Sequence, residues 1–381
     1  MPRLAPLALA LSLIPTSLAS AQAEADETSS LTWVLERARA LDAQADYGPA
    51  ADLYEVYAEA CLDDSTAQAE RGDPCADTGA ALMRAFELRR ALSQPEAATR
   101  DAQRFRAHFL YARPREALQV GYQVARMHID GRRYLQALRA LDAIDASFDA
   151  APARQAIVSD GLRAVIAGAV DRPDAAARLW RRVERRAEAD RAAIEADGPV
   201  PIEWVQDAIA EARLVRAQPF VDRYFATRPP HLRGVRSDRR WWQRVSAWLV
   251  RSRRRLALAR HALERVYEVG SARHSVVAAA RIGEMYGHQL DVHASLSLPD
   301  DESLWVVTTG GDDRPGYDEA RTHFETCVAW AAHHAVASRW ASRCEEGLNR
   351  LDPASYPMQA ELHGEAGYHP TAAALPPGVR E

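Results

Sequence analysis

The four cysteines carry the most specific chemistry in this sequence, and they fall as two local pairs, Cys61 with Cys75 and Cys327 with Cys344. Thiols so placed can pair as disulfides, bind zinc as thiolates, or stay free. The zinc reading draws on His323, one helical turn before Cys327, and on His334 further along the same stripe. These two histidines are eleven positions apart, roughly 16 Å along a helix axis, too far to share one ion. The disulfide reading needs only that antiparallel helices bring the pairs into range. Cys327 and Cys344 lie equally far from a turn expected near Ala335-Val336. Cys61 ends one expected helix and Cys75 opens the next. The compartment argued below favours disulfides over zinc or free thiols.

The second group with chemical potential is basic. Residues 233–260 hold ten Arg and one acid, Asp238, with Trp241, Trp242 and Trp248 interleaved. Arg pairs with phosphate or carboxylate, and indoles stack on bases or sugars, so this pattern suits a polyanion. A solvated helix face explains it more simply: Trp242 falls on an apolar seam, and Arg251, Arg253, Arg254 and Arg255 fall opposite. Together with Arg239 and Arg240, these are the candidate partner-binding residues, for an acidic protein or an anionic envelope polymer. Asp300-Asp301-Glu302 and Asp312-Asp313 lack the alternating ligand spacing of a calcium loop and read as solvated acids. There is no His-Glu-x-x-His, no Gly-x-Ser-x-Gly and no glycine-rich phosphate loop. No catalytic site, metal site or cofactor is therefore expected, and the chain is not read as an enzyme. All 48 basic residues besides histidine are Arg, so lysine amine chemistry is excluded. A net charge of -5 gives no general affinity for nucleic acid.

The elements that would position these groups are helical. Of the 381 residues 48% are hydrophobic, much of that Ala, the best helix former. The chain begins like an exported protein. A basic start, an uncharged apolar run over 4–18 and Ala19-Ser20-Ala21 predict a signal peptide of residues 1–21, cleaved to leave Gln22. No other stretch reaches membrane length. From 31 to about 283 a triplet recurs, an aromatic, Pro or Leu, then Ala three residues on, then an apolar residue four later. It reads Tyr47-Ala50-Tyr54, Pro95-Ala98-Ala102, Tyr134-Ala137-Leu141, Pro173-Ala176-Trp180 and Leu256-Ala259-Leu263, and returns as Tyr317-Ala320-Phe324. This spacing puts all three on one helical face and lets a neighbouring helix cross at the Ala. The triplet is expected to mark helix starts. The central Ala residues are 48, 39, 39, 83 and 61 positions apart, against roughly 34–47 residues for one helix-turn-helix repeat.

The predicted fold is all-α, a tetratricopeptide-like α-solenoid of helix-turn-helix repeats with a C-terminal helical hairpin. Breaks are expected at Gly72-Asp73-Pro74, Arg113-Pro114, Asp171-Arg172-Pro173 and Gly198-Pro199-Val200-Pro201. The longest helix is expected over about 239–269, with an inner seam of Trp242, Val245, Leu249, Leu256, Ala259, Leu263 and Val266. The organisation reads as an array over 22–297, a loop over 298–317, a stapled hairpin over 318–352 and a loose tail over 353–381.

With these residues assembled, the C-terminal half resembles a group of periplasmic tetratricopeptide-repeat proteins of myxobacteria, whose members belong to the envelope machinery of gliding motility. The resemblance is carried by Trp248-Leu249 opening a basic helix, by 259–270, and by Ala280-Arg281-Ile282-Gly283-Glu284-Met285-Tyr286. It resumes with Phe324-Glu325-Thr326-Cys327, Trp340, Cys344-Glu345, 348–351 and 353–357 ending in Tyr356-Pro357. It implies a periplasmic scaffold within a motility or trafficking complex, a close-packing role for Gly283 and a stapled hairpin. The expected function is thus an exported scaffold or adaptor that binds other proteins on a concave face. The alternative is a binding module for an anionic envelope component through 233–260.

Overall fold

The computed structural model describes residues 27–63, 75–147, 152–196, 198–230, 238–295 and 314–357. Among these the only regular element is the α-helix, fourteen in all. They are α1 (Glu27–Ala43), α2 (Tyr47–Asp63), α3 (Thr78–Ala91), α4 (Pro95–Phe109), α5 (Pro114–Asp130), α6 (Tyr134–Asp145) and α7 (Ala153–Ala169). They continue as α8 (Pro173–Ala189), α9 (Arg191–Glu195), α10 (Ile202–Phe225), α11 (Asp238–Tyr267), α12 (Ala272–Ser295), α13 (Arg314–His333) and α14 (Arg339–Leu351). Helices pack in adjacent pairs, as in an α-solenoid. No helix of the described residues is long and apolar enough to cross a membrane. The expected leader, the Gly72-Asp73-Pro74 break, residues 298–313 of the expected loop and the tail beyond 357 lie outside the described residues.

The chain divides into two compact units, 1–144 and 145–381. The expected single span 22–297 thus contains a boundary at the end of α6, where no Gly- or Pro-rich linker signals one. The hairpin belongs to the second unit. The expected loop also ends early: residues 314–317 form the first turn of α13, where Pro315 forfeits no helical hydrogen bond.

In the first unit, α1 to α5 follow one another as packed neighbours. One core joins Leu35, Ala38, Ala50, Tyr54, Tyr57 and Leu88 of α1–α3. The next joins Leu82, Phe86, Ala98, Ala102, Phe105 and Val120 of α3–α5. The central Ala of every triplet is buried, Ala50, Ala98, Ala137, Ala259 and Ala320 completely and Ala176 nearly so. As a start signal the triplet holds for α2, α4, α6 and α8. It fails for Leu256, which lies in the middle of α11, and for Tyr317, which lies inside α13. Close packing at the Ala, wherever it falls along a helix, is what the pattern encodes.

Five of the turns share a device the sequence hides. Ala45, Ser93, Arg132, Asp171 and Ala335 all have left-handed backbones, with φ of 61°, 57°, 56°, 55° and 51°. In each case the next amide reaches back to close the helix. Asp46 N donates to Leu41 O at 2.9 Å, Gln94 N to Arg89 O at 2.9 Å and Arg133 N to His128 O at 2.7 Å. Arg172 N donates to Ala167 O and Val336 N to Ala331 O, each at 2.8 Å. This is the Schellman closure, which satisfies the last helical carbonyls and usually uses glycine. In the first four turns the residue after that amide is Tyr or Pro, and it begins the next helix.

In the second unit, α10 is the central helix and packs against α7, α8, α11 and α12. Its Tyr224 is buried and donates to the Met285 carbonyl of α12 at 2.7 Å. The connection from α8 to α10 is held by buried Arg154. Its guanidinium donates to the carbonyls of Ile194 at 2.7 Å and Val200 at 3.0 Å.

The C-terminal helices meet at one aromatic ring. Phe324 of α13, 1% exposed, lies between Gly283 of α12 and Gly347 of α14. A Cβ at Gly283 would stand 2.6 Å from the ring, and one at Gly347 2.5 Å. Glycine here is a packing requirement. The Gly347→Ala variant is expected to lose about 1–3 kcal/mol of stability through overpacking, despite alanine's better helix propensity. Denaturant titration checks this, with Phe324→Leu added to the same chain expected to recover part of the loss. An Ala variant as stable as the parent would contradict the packing.

Candidate functional site

The arginines singled out from the sequence all belong to α11, and the structure turns them outward: Arg239, Arg240, Arg251, Arg253, Arg254 and Arg255 are exposed. Arg255 is tied down by the Thr227 hydroxyl at 2.7 Å and the Arg223 carbonyl at 3.2 Å. Arg260 is drawn inward to Glu264 at 2.6 Å, the Tyr286 hydroxyl at 2.7 Å and Glu319 at 3.1 Å, joining α11 to α12 and α13. Arg233 and Arg236 lie outside the described residues. The tryptophans are not interleaved with the arginines in space. Trp241 and Trp248 are buried, and Trp242 is half-buried edge-on to Trp241. The inner seam thus includes Trp241 as well as Trp242, which packs against the core of Trp241, Val245, Trp248 and Leu249.

Reading the sequence missed a buried charge cluster between α10 and α12. His274 and Ser271 are 1% and 2% exposed. The Ser271 hydroxyl donates its one proton to Asp207 at 2.6 Å. It must then accept from His274 Nδ1, 2.8 Å away, and from the His274 amide as a helix N-cap. His274 Nε2 lies 2.8 Å from a Glu211 carboxylate oxygen. Both ring nitrogens thus face acceptors, which is the hydrogen-bonding pattern of an imidazolium. Burial favours the neutral ring, but the bonds to Asp207 and Glu211 outweigh it and raise the pKa above the ordinary 6.5. The residue types are those of a hydrolase triad, yet the geometry is not. The hydroxyl proton points at a carboxylate, and neither Ser271 nor His274 is open to solvent. The cluster fixes α12 on α10.

Glu211 also lines an apolar recess of the second unit, a groove of about 510 Å³ open to solvent. Small residues form its floor, among them Ala164 and Gly168 of α7 and Ala176 and Ala177 of α8, with Trp180 beneath. Val215 of α10 stands exposed within it, and Val277 of α12 completes the wall. Arg281 of α12 and Arg339 and Trp340 of α14 also border it. Three guanidinium groups surround that indole: Arg281 at 4.5 Å, Arg343 at 4.8 Å and Arg339 at 5.5 Å from the ring centre. Glu284 is shared by two of them, at 3.5 Å from Arg281 and 3.3 Å from Arg343. Burial pulls the Arg281 pKa below its ordinary value. An apolar trough bordered by this cluster of three guanidinium groups, two of which share one carboxylate, suits a segment with aliphatic side chains and a carboxylate.

No protein-family model and no curated protein matches this chain. The reading of the site therefore rests on its geometry.

The remaining candidates do less. Both cysteine pairs are disulfides, with Cα–Cα distances of 5.4 Å for Cys61–Cys75 and 6.2 Å for Cys327–Cys344. The Cys327 sulfur is thus unavailable as a thiolate ligand. His323 stacks on Tyr286, and His334 packs edge-on against Trp330 and His333. No group of three metal-binding side chains forms among the described residues. The acidic stretches at 300–302 and 312–313 lie outside them. In the first unit, burial pushes the Asp101 carboxyl up to about 7, but Asp101 lines no recess described here. A polar recess of about 600 Å³ in the second unit sets Asp145, Asp160 and Asp190 against Arg163, Arg182 and Arg186, so its charges balance internally.

Proposed function

We propose that this protein is an exported scaffold or adaptor of the cell envelope, periplasmic in a cell with two membranes, that holds an aliphatic, carboxylate-bearing protein segment in the groove of its second unit. The groove carries the reading: an open apolar trough bordered by Arg281, Arg339 and Trp340 is shaped for a chain segment. Two disulfides and the signal-peptide pattern support an oxidising compartment outside the cytoplasm. Helices packed in pairs are consistent with tetratricopeptide-like repeats, and the C-terminal resemblance favours a motility or trafficking complex.

A photo-crosslinking residue at Val215, with a second placed at exposed Arg132 of the first unit as control, should trap a defined partner segment only at Val215. A synthetic copy of that segment should bind the purified protein. Val215→Asp, which puts a charge on the trough, should weaken that binding at least about tenfold, or 1.4 kcal/mol, with the thermal midpoint unchanged. Adducts identical at both positions, or affinity indifferent to Val215→Asp, would remove the groove from the account.

A further inference from the structure

The outward face of α11 is a second surface of different chemistry. From Arg239 to His261 the helix carries eight Arg and no acidic residue, in a chain whose net charge is -5. Among the described residues, Arg239, Arg240, Arg244, Arg251 and Arg254 are exposed and make no ion pair. Two large aliphatic side chains stand among them, Val250 at 67% and Leu258 at 48% exposure. Val250, Arg254 and Leu258 follow at four-residue spacing on one face of the helix. The face is thus mixed in chemistry, cationic with two aliphatic side chains set among the arginines.

We propose that this face docks an acidic amphipathic helix of a partner protein. Around Val250 the exposed residues fall in heptad order. Ala247, Val250, Arg254 and Ala257 form a central seam, while Arg244, Arg251, Arg253 and Leu258 stand at the flanking positions, Leu258 widening the apolar stripe at one end. Flanking residues of packed helices choose the partner by charge. Here they demand Glu or Asp opposite and an aliphatic stripe between. A second copy of this chain does not fit, since Arg would face Arg across the seam. A lipid surface is disfavoured by the same helix: its three tryptophans, the residues suited to an interface, are turned to the interior or half-buried. This surface is independent of the groove, and an adaptor that holds two proteins needs two such surfaces.

The test uses the full mature chain and a labelled 21-residue model peptide, helical, with a Leu/Ala seam flanked by Glu. Fluorescence anisotropy should show saturable binding that weakens at least tenfold with Gln in place of Glu. It should weaken as much in the Arg251→Glu/Arg254→Glu variant, and several-fold in Val250→Ser/Leu258→Ser. Circular dichroism melts should match the parent in both variants, and Val215→Asp should leave binding intact. No binding, or equal binding of a scrambled peptide of the same composition, overturns the proposal. So does stronger association with phosphatidylglycerol vesicles than with the peptide, which would assign the face to lipid. Loss of peptide binding in Val215→Asp alone would place the peptide in the groove and overturn it too.

Discussion

Replacing His274 by Ala should lower stability by roughly 3–5 kcal/mol, because it removes the buried imidazolium that two largely buried carboxylates share. Asp207 and Glu211 are mostly buried, at 22% and 19% side-chain exposure, so water compensates them only in part. The effect has a signature in pH. His274 has its pKa raised in the folded protein, so it binds its proton more tightly there than in the unfolded chain. The stabilisation from protonation is therefore fully present below about 6.5 and is lost as the pH rises through the folded value. The gap between the parent and His274→Gln, which keeps hydrogen bonding without charge, should be widest near pH 5.5 and narrow towards pH 9. Denaturant titrations at both pH values measure it. A gap that is the same at both ends, or smaller than about 1 kcal/mol, would mean that the imidazole is neutral in the folded state. Glu211 also forms part of the groove wall, so the same variants should weaken the segment held there.

That cluster shows where reading the sequence stops. His274 lies 63 positions from Glu211, and nothing local marks it among the other helical histidines. Its partners become visible only when α10 and α12 are laid side by side. The groove is hidden for the same reason, since its walls come from five helices. Features that act over one or two turns were legible. The cysteine pairs, the Tyr or Pro that opens α2, α4, α6 and α8, and the buried Ala of each triplet all read from spacing. Turns were legible where Pro or Gly stood in them. The left-handed positions were not, because Ala45, Ser93, Arg132, Asp171 and Ala335 replace the glycine expected there. On α11, Trp241 and Trp242 are adjacent and both pack on one core, Trp241 the more deeply, and periodicity alone does not rank them. Which indole is buried is decided by the neighbouring side chains, Val245, Trp248 and Leu249.

The Cys327–Cys344 staple should matter most for the C-terminal helices. It closes a loop of 17 residues, for which chain-entropy arguments give roughly 3 kcal/mol. The helix it secures, α14, has only 13 residues and packs on α12 and α13. An end element with few neighbours depends on such a link more than a central helix does. Both sulfurs are fully buried, so the comparison is best made with Cys327→Ala/Cys344→Ala, which leaves no thiol behind. Limited proteolysis of this variant, or of the reduced parent, should cut first near Ala335, at the turn between α13 and α14. Cleavage within α10 and α11 should come later. Because Arg339 and Trp340 border the groove, binding there should weaken alongside the early cut. The Cys61–Cys75 bridge, in the other unit, should not influence either result when replaced by alanines. A first cut in α10 or α11, or a loss below about 1 kcal/mol on removing Cys327–Cys344, would mean that the α12–α13–α14 packing around Phe324 holds the end of the chain without the bridge.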